Sequence, residues 1–139
     1  MEQYKKFGLV AGQIFMGLGF ALAGAIVVSI LVYLYTELMK IHLDLYGGIM
    51  YALIGSYIGM QMGIAFDGFK YLKQNNRQKD FLRFFLQSVV GLICGLVGLF
   101  VIIIPIGKTI PHALTNFLAI TLPLIGSIIG FNFGLTPKG

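Results

Sequence analysis

Charge is what this sequence has least of. Only 11% of its 139 residues are Asp, Glu, Lys or Arg, against about 25% in an average soluble domain. With 58% hydrophobic residues and a mean hydropathy of +0.89, polar groups are too few to coat a soluble fold. No Asp, Glu, Lys, Arg or His falls in the middle of a long apolar run. That absence argues against a proton-coupled pump or a small multidrug exporter, both of which work through an intramembrane ionisable group. The single cysteine, Cys94, lies inside the third apolar run and has no partner for an intramolecular disulfide; it reads as a small packing residue. Phosphate loop, nucleophile elbow and metal-ligand spacing are all missing, and His42 and His112 stand in separate connections. No catalytic, cofactor or metal residue is assigned, and the chain is not expected to be an enzyme. Glu2 stands where N-myristoylation needs glycine, and no cysteine lies near the C-terminus.

What the sequence has is length without polarity. Segments Gly8–Tyr35, Tyr46–Phe66, Leu82–Ile106 and Ala113–Gly134 each meet the requirement of about 20 mostly apolar residues for crossing a bilayer. Lys5 and Lys6 resemble the basic start of a signal peptide, but the run after them is far longer than the 7–15 residues of such a segment. The expected fold is an all-α membrane protein with four transmembrane helices.

Two of the runs share a motif. Leu53–Gly63 and Leu124–Gly134 both read L-I-G-S-x-I-G-x-(Q/N)-x-G. The first and third align more loosely, matching Gln13 with Gln87, Gly17 with Gly91, Ala21 with Gly95 and Gly24 with Gly98. The chain therefore reads as one membrane domain of tandem helical hairpins, about 8–66 and 82–134, joined by a basic loop at about 67–81. Each hairpin crosses twice, so the copies are parallel repeats about an axis along the membrane normal.

Glycine follows helical spacing. Gly55, Gly59 and Gly63 form a four-residue ladder, as do Gly126, Gly130 and Gly134, and Gly91, Gly95 and Gly98 take a four-then-three step matched by Gly17, Ala21 and Gly24. Such residues share one helix face, where a second helix approaches until the backbones touch. Either the ladders knit this chain together or some face a neighbour, and the expectation is assembly into an oligomer or with other membrane-complex subunits. Four amides, Gln13, Gln61, Gln87 and Asn132, lie near the same ends of their spans. They are expected to form a layer of interhelical hydrogen bonds; the alternative is a polar constriction in a channel or transporter. Pro123, whose counterpart in the first hairpin is Ala52, is expected to kink the fourth span.

Basic residues set the orientation. Lys5, Lys6, Lys70, Lys73, Arg77, Lys79, Arg83 and Lys138 fall on one side of the spans, and only Lys40 and Lys108 on the other. The positive-inside rule places both termini in the cytoplasm, in a plasma membrane of bacterial inner-membrane type. Tyr33, Tyr35, Tyr46 and Tyr51 then belong to the outer interface, and Phe66, Phe69, Tyr71, Phe81, Phe84 and Phe85 to the inner. Lys70, Lys73, Arg77, Lys79 and Arg83 fit an anionic lipid surface and are too sparse to track nucleic acid. Asp67, beside Lys70, reads as a helix-end carboxylate.

The second half, with G-L-I-x-G-L over Gly91–Leu96, then Ile104-Pro105, Leu122-Pro123 and a terminal glycine ladder, resembles the N-terminal four-helix membrane domain of bacterial PIN–TRAM proteins. The resemblance implies a membrane platform; the acidic PIN site has no counterpart here, so no catalytic residue carries over. The function expected is a small non-catalytic membrane subunit that oligomerises or scaffolds a larger complex. Topology is tested by single cysteines in a Cys94→Ser background. Lys40→Cys and Lys108→Cys should react with impermeant reagent from outside whole cells, and Asn76→Cys only after the inner face is opened.

Overall fold

The computed structural model describes residues 2–106 and 111–135, apart from the side chains of residues 2–6, 104, 106 and 112. Lys108 and Lys138, used above for orientation, lie outside the described residues. Four helices follow in order: α1 (Glu2–Met39), α2 (Leu45–Gln74), α3 (Phe81–Ile106) and α4 (His112–Asn132), with one 3-10 turn over Gln78–Asp80 between α2 and α3. No strand occurs among the described residues. Each helix is long and apolar enough to cross a membrane, and the chain is an integral membrane protein. Helices are the form this sequence must take, because a spanning segment has to satisfy its own backbone hydrogen bonds in lipid.

α1 packs along α2 and α3 along α4, while contacts between these hairpins are far fewer. α2 touches both α3 and α4, α4 also touches α1, and α1 and α3 do not meet among the described residues. The cross-section is a diamond with α2 and α4 on its short diagonal. All four chain ends of the hairpins gather at one end of the bundle, called here the terminal end. The buried core, centred on Met60, Ile64, Leu72, Phe84, Ile128 and Phe131, occupies the half nearer that end.

Local chemistry sets the turns. α1 stops in a Schellman motif: Lys40 takes φ 54°, its N–H reaches Glu37 O, and Ile41 N–H reaches Thr36 O at 3.0 Å. Asp44 then caps α2 by accepting from Gly47 N–H at 2.8 Å. α2 ends the same way, with Asn76 at φ 55° and Arg77 N–H on Leu72 O at 2.8 Å. The basic loop expected over 67–81 is therefore mostly helical. α2 continues through Gln74, because water beyond the apolar core solvates its charged face and nothing in 67–74 breaks a helix. Asp67 is correspondingly inside α2, not at its end.

α1 has 38 residues, about 57 Å at 1.5 Å per residue, nearly twice the ~30 Å hydrocarbon core. α4 has 21 and matches that core closely. The aromatic residues assigned to the inner interface do more than line it. Phe69 meets Phe81 edge-on at 5.2 Å, and Phe84, fully buried, packs on Phe131 at 5.8 Å. The Arg77 guanidinium lies 5.4 Å over the Phe84 ring and bonds Asp80 at 2.9 Å, tying the connection to α3, while Gly68 on α2 faces the Phe131 ring across the hairpins.

Candidate functional site

The glycines show where backbone meets backbone. A Cβ on Gly55 would run into the carbonyl of Gly24, and one on Gly24 into the carbonyl of Gly55. Gly59 and Gly63 stand in the same way against the carbonyls of Phe20 and Met16. In the second hairpin Gly91 and Gly126 oppose each other reciprocally, Gly130 faces the Gln87 carbonyl and Gly95 the Leu122 carbonyl. These approaches bring Cα–H groups onto carbonyl oxygens, and every one lies within a hairpin of this chain. Gly17 instead faces side chains, Leu124 across the hairpins and Ile64 on α2. Gly98 meets nothing within 4 Å. Gly134, expected in a ladder, sits beyond the end of α4 with φ 76° and open space around it. It is a turn residue, because the chain turns out of the helix at Phe133.

The pairing also departs from the loose sequence alignment. Gly55 packs on Gly24, but its counterpart Gly126 packs on Gly91 rather than on Gly98, seven residues further along. α3 is therefore placed about two turns away from the register that α1 would suggest.

Between the hairpins the polar side chains meet. Gln61 Nε2 donates to Ser127 Oγ at 2.6 Å, and Ser88 Oγ donates to Gln61 Oε1 at 3.1 Å, so one amide joins α2, α3 and α4. Asn132 Nδ2 donates to Gln13 Oε1 at 2.7 Å and to Ile128 O at 2.8 Å, joining α4 to α1. Gln13, Ser88 and Ser127 are wholly buried. Three of the four amides thus enter the layer. Gln87 stays on the α3–α4 side, with a buried Oε1 that no hydrogen bond reaches. Gln13 Nε2 and Asn132 Oδ1 are likewise left over. The two serines were the residues sequence reasoning missed. Ser127 stood in the shared motif, but Ser88 had no signal beyond being polar in an apolar run.

A further bond answers the proline. α4 runs through Pro123 without interruption, although Pro123 has no N–H for the carbonyl four residues earlier, that of Ala119. Tyr57 supplies the missing donor from α2, its hydroxyl reaching Ala119 O at 3.0 Å. The freed carbonyl thereby becomes a link between hairpins.

No group of three or more potential metal ligands occurs among the described residues. Compared with known proteins, the chain matches no family model, no curated protein and no solved structure.

Two measurements test these assignments. Gly59→Ile, forced against the Phe20 carbonyl, should lower unfolding stability in detergent by at least ~2 kcal/mol, whereas Gly98→Leu should change it by less than about 0.5. Tyr57→Phe should cost about 1 kcal/mol in the native background and close to nothing beside Pro123→Ala, where the Ala119 carbonyl regains a helical donor. Equal costs in both backgrounds would separate Tyr57 from the proline.

Proposed function

We propose that this chain is a small non-catalytic membrane subunit, built from two tandem glycine-packed hairpins and serving as a scaffold that assembles with itself or with other membrane subunits. The observation that carries this reading is that the convergent polar groups are spent on each other: Gln61 on Ser88 and Ser127, Asn132 on Gln13, Tyr57 on Ala119. Such a layer holds one hairpin against the other rather than presenting a reactive group. Duplication is supported by the shared L-I-G-S motif, whose first two glycines, Gly55 and Gly59 in one copy and Gly126 and Gly130 in the other, meet the partner helix within each hairpin. The likeness to the membrane domain of PIN–TRAM proteins points the same way, to a platform in the membrane, and the basic residues favour both termini in the cytoplasm.

Because the ladder glycines other than Gly98 and Gly134 face this chain's own helices, assembly falls to other surfaces, chiefly the outward apolar lengths of α1 and α3. A second reading, an oligomeric channel or solute transporter, has one observation in its favour. Gln13 Nε2, Asn132 Oδ1 and Gln87 Oε1 are buried without partners, and a wet path would satisfy them.

The tests separate the two. After gentle extraction the native chain should run, by light scattering, at a mass above one copy or with co-purifying chains; a lone monomer sinks the scaffold. In liposomes, Gln61→Leu with Asn132→Leu should leave ion and small-solute flux unchanged from background. Flux that exists in the native protein and vanishes in the double variant replaces the scaffold with the channel.

A further inference from the structure

A groove of about 640 Å³ runs along the outside of the α3–α4 seam. Its floor is Gly91, Gly95 and Gly98, and Val90, Ile125 and Ile129 stand as its walls, the three wall side chains exposed. The glycine seam makes it, since two backbones in contact leave a furrow where no side chain rises. Along α3 it reaches from Leu86 to Gly98, about 18 Å of helix. That is about three-fifths of a ~30 Å hydrocarbon core, and along α4 the groove occupies the half nearer the terminal end, from Leu122 to Phe133. Arg83 is exposed and lies four residues before Gln87, a residue of the groove, hence on the same helix face. Side chains on a helix lean toward its N-terminus, which carries the guanidinium away from the apolar groove and toward the headgroups.

We propose that this groove binds one anionic phospholipid, an acyl chain lying over Gly91, Gly95 and Gly98 and the phosphate at Arg83. A partner helix fits less well, because it needs a track as long as a full span, and the groove stops at about three-fifths of one. Apolar contact alone selects no lipid, since any tail in the bilayer offers the same surface. Selection comes from the headgroup charge against a basic residue at the mouth of an interhelical groove. The inference stands apart from the assembly reading, which it neither needs nor excludes.

The sequence has no tryptophan, so a single one reports on its own surroundings. Ile129→Trp, with Ile125→Trp as a second reporter, places it in the groove wall; Leu22→Trp places it on an exposed face of α1. The full chain is reconstituted in phosphatidylcholine vesicles carrying brominated-acyl phosphatidylglycerol or brominated-acyl phosphatidylcholine as quencher. The groove reporters should show about fivefold stronger association with the anionic lipid, the factor equivalent to ~1 kcal/mol for one basic residue, and the α1 reporter should show much less preference. Arg83→Gln should remove the preference. Gly98→Leu, whose added Cβ meets open space, should weaken quenching by both lipids. Equal quenching at the groove, or the same preference at both positions, overturns the proposal. Competition by soluble glycerol phosphate would replace it with a free-phosphate site. Cys94, exposed in the same groove, gives the last arm: ready disulfide cross-linking between copies, with quenching lost, would assign the groove to a second copy instead.

Discussion

Lipid offers a peptide carbonyl no hydrogen bond, and this constraint shapes the molecule at every level. Within each helix the ladder of backbone bonds meets it. Between helices it explains why glycine is placed where carbonyls of Gly24, Phe20, Gly91 and Gln87 press against a neighbouring backbone. A bare Cα–H is a weak donor of about 0.5–1 kcal/mol, but several in a row act along a seam where apolar side chains gain nothing over lipid tails. The seam makes each hairpin a unit, and it uses up one face of every helix. The next face, Met60, Gln61 and Ile64 on α2 and Ser127, Ile128 and Phe131 on α4, is what remains for the other hairpin.

Joining the hairpins is a different problem. Their contact is small, and apolar packing in a bilayer discriminates poorly between one register and the next. Hydrogen bonds do discriminate, because a polar atom slid out of reach stays unpaired. Gln61 with its two serines, Asn132 with Gln13 and Tyr57 with Ala119 therefore fix the relative placement more than they add energy, each contributing about 0.6 kcal/mol on average. At the terminal end the Phe131 ring set against Gly68 of α2 closes the same joint, while Arg77 on Phe84 and Phe84 on Phe131 hold the connecting turn to α3 and α3 to α4.

The fold class was legible because its cause is one-dimensional. Four apolar runs need only be counted, and the amides Gln13, Gln61 and Asn132 were visible as polar exceptions within them. The direction each face takes was not legible. Gly59 and Gly98 look alike in a list of spacings, yet one is pressed against a carbonyl and the other stands open. Spacing defines a face but not what covers it, and that depends on the crossing of two helices. The extent of α2 was hidden for a related reason. Hydropathy marks where the apolar core ends, whereas the helix ends only where Asn76 adopts φ 55° and Leu72 O finds Arg77 N–H. Ser88 and Tyr57 were missed because each acts on a partner more than 25 positions away.

The two halves part at the level of Pro123. At this level the α4 backbone lies against α3: the Leu122 carbonyl oxygen and the Pro123 Cα come within 2.6 and 2.8 Å of a Cβ built on Gly95. Only glycine is accommodated there without displacement, so Gly95 marks where α3 meets that level of α4. The first hairpin has Ala52 in the corresponding place and carries no such demand. With Gly95 held at Pro123, Gly91 falls opposite Gly126 and Gly130 opposite Gln87, the shifted register observed. Gly98 is then carried past the closest part of the seam and has no backbone to meet. In one hairpin Gly24 meets the partner helix, and Gly17 on the same face meets Leu124 of the other hairpin as well as Ile64. In the other, the shifted register leaves Gly98 without a backbone partner, and that glycine lies in the floor of the outer groove.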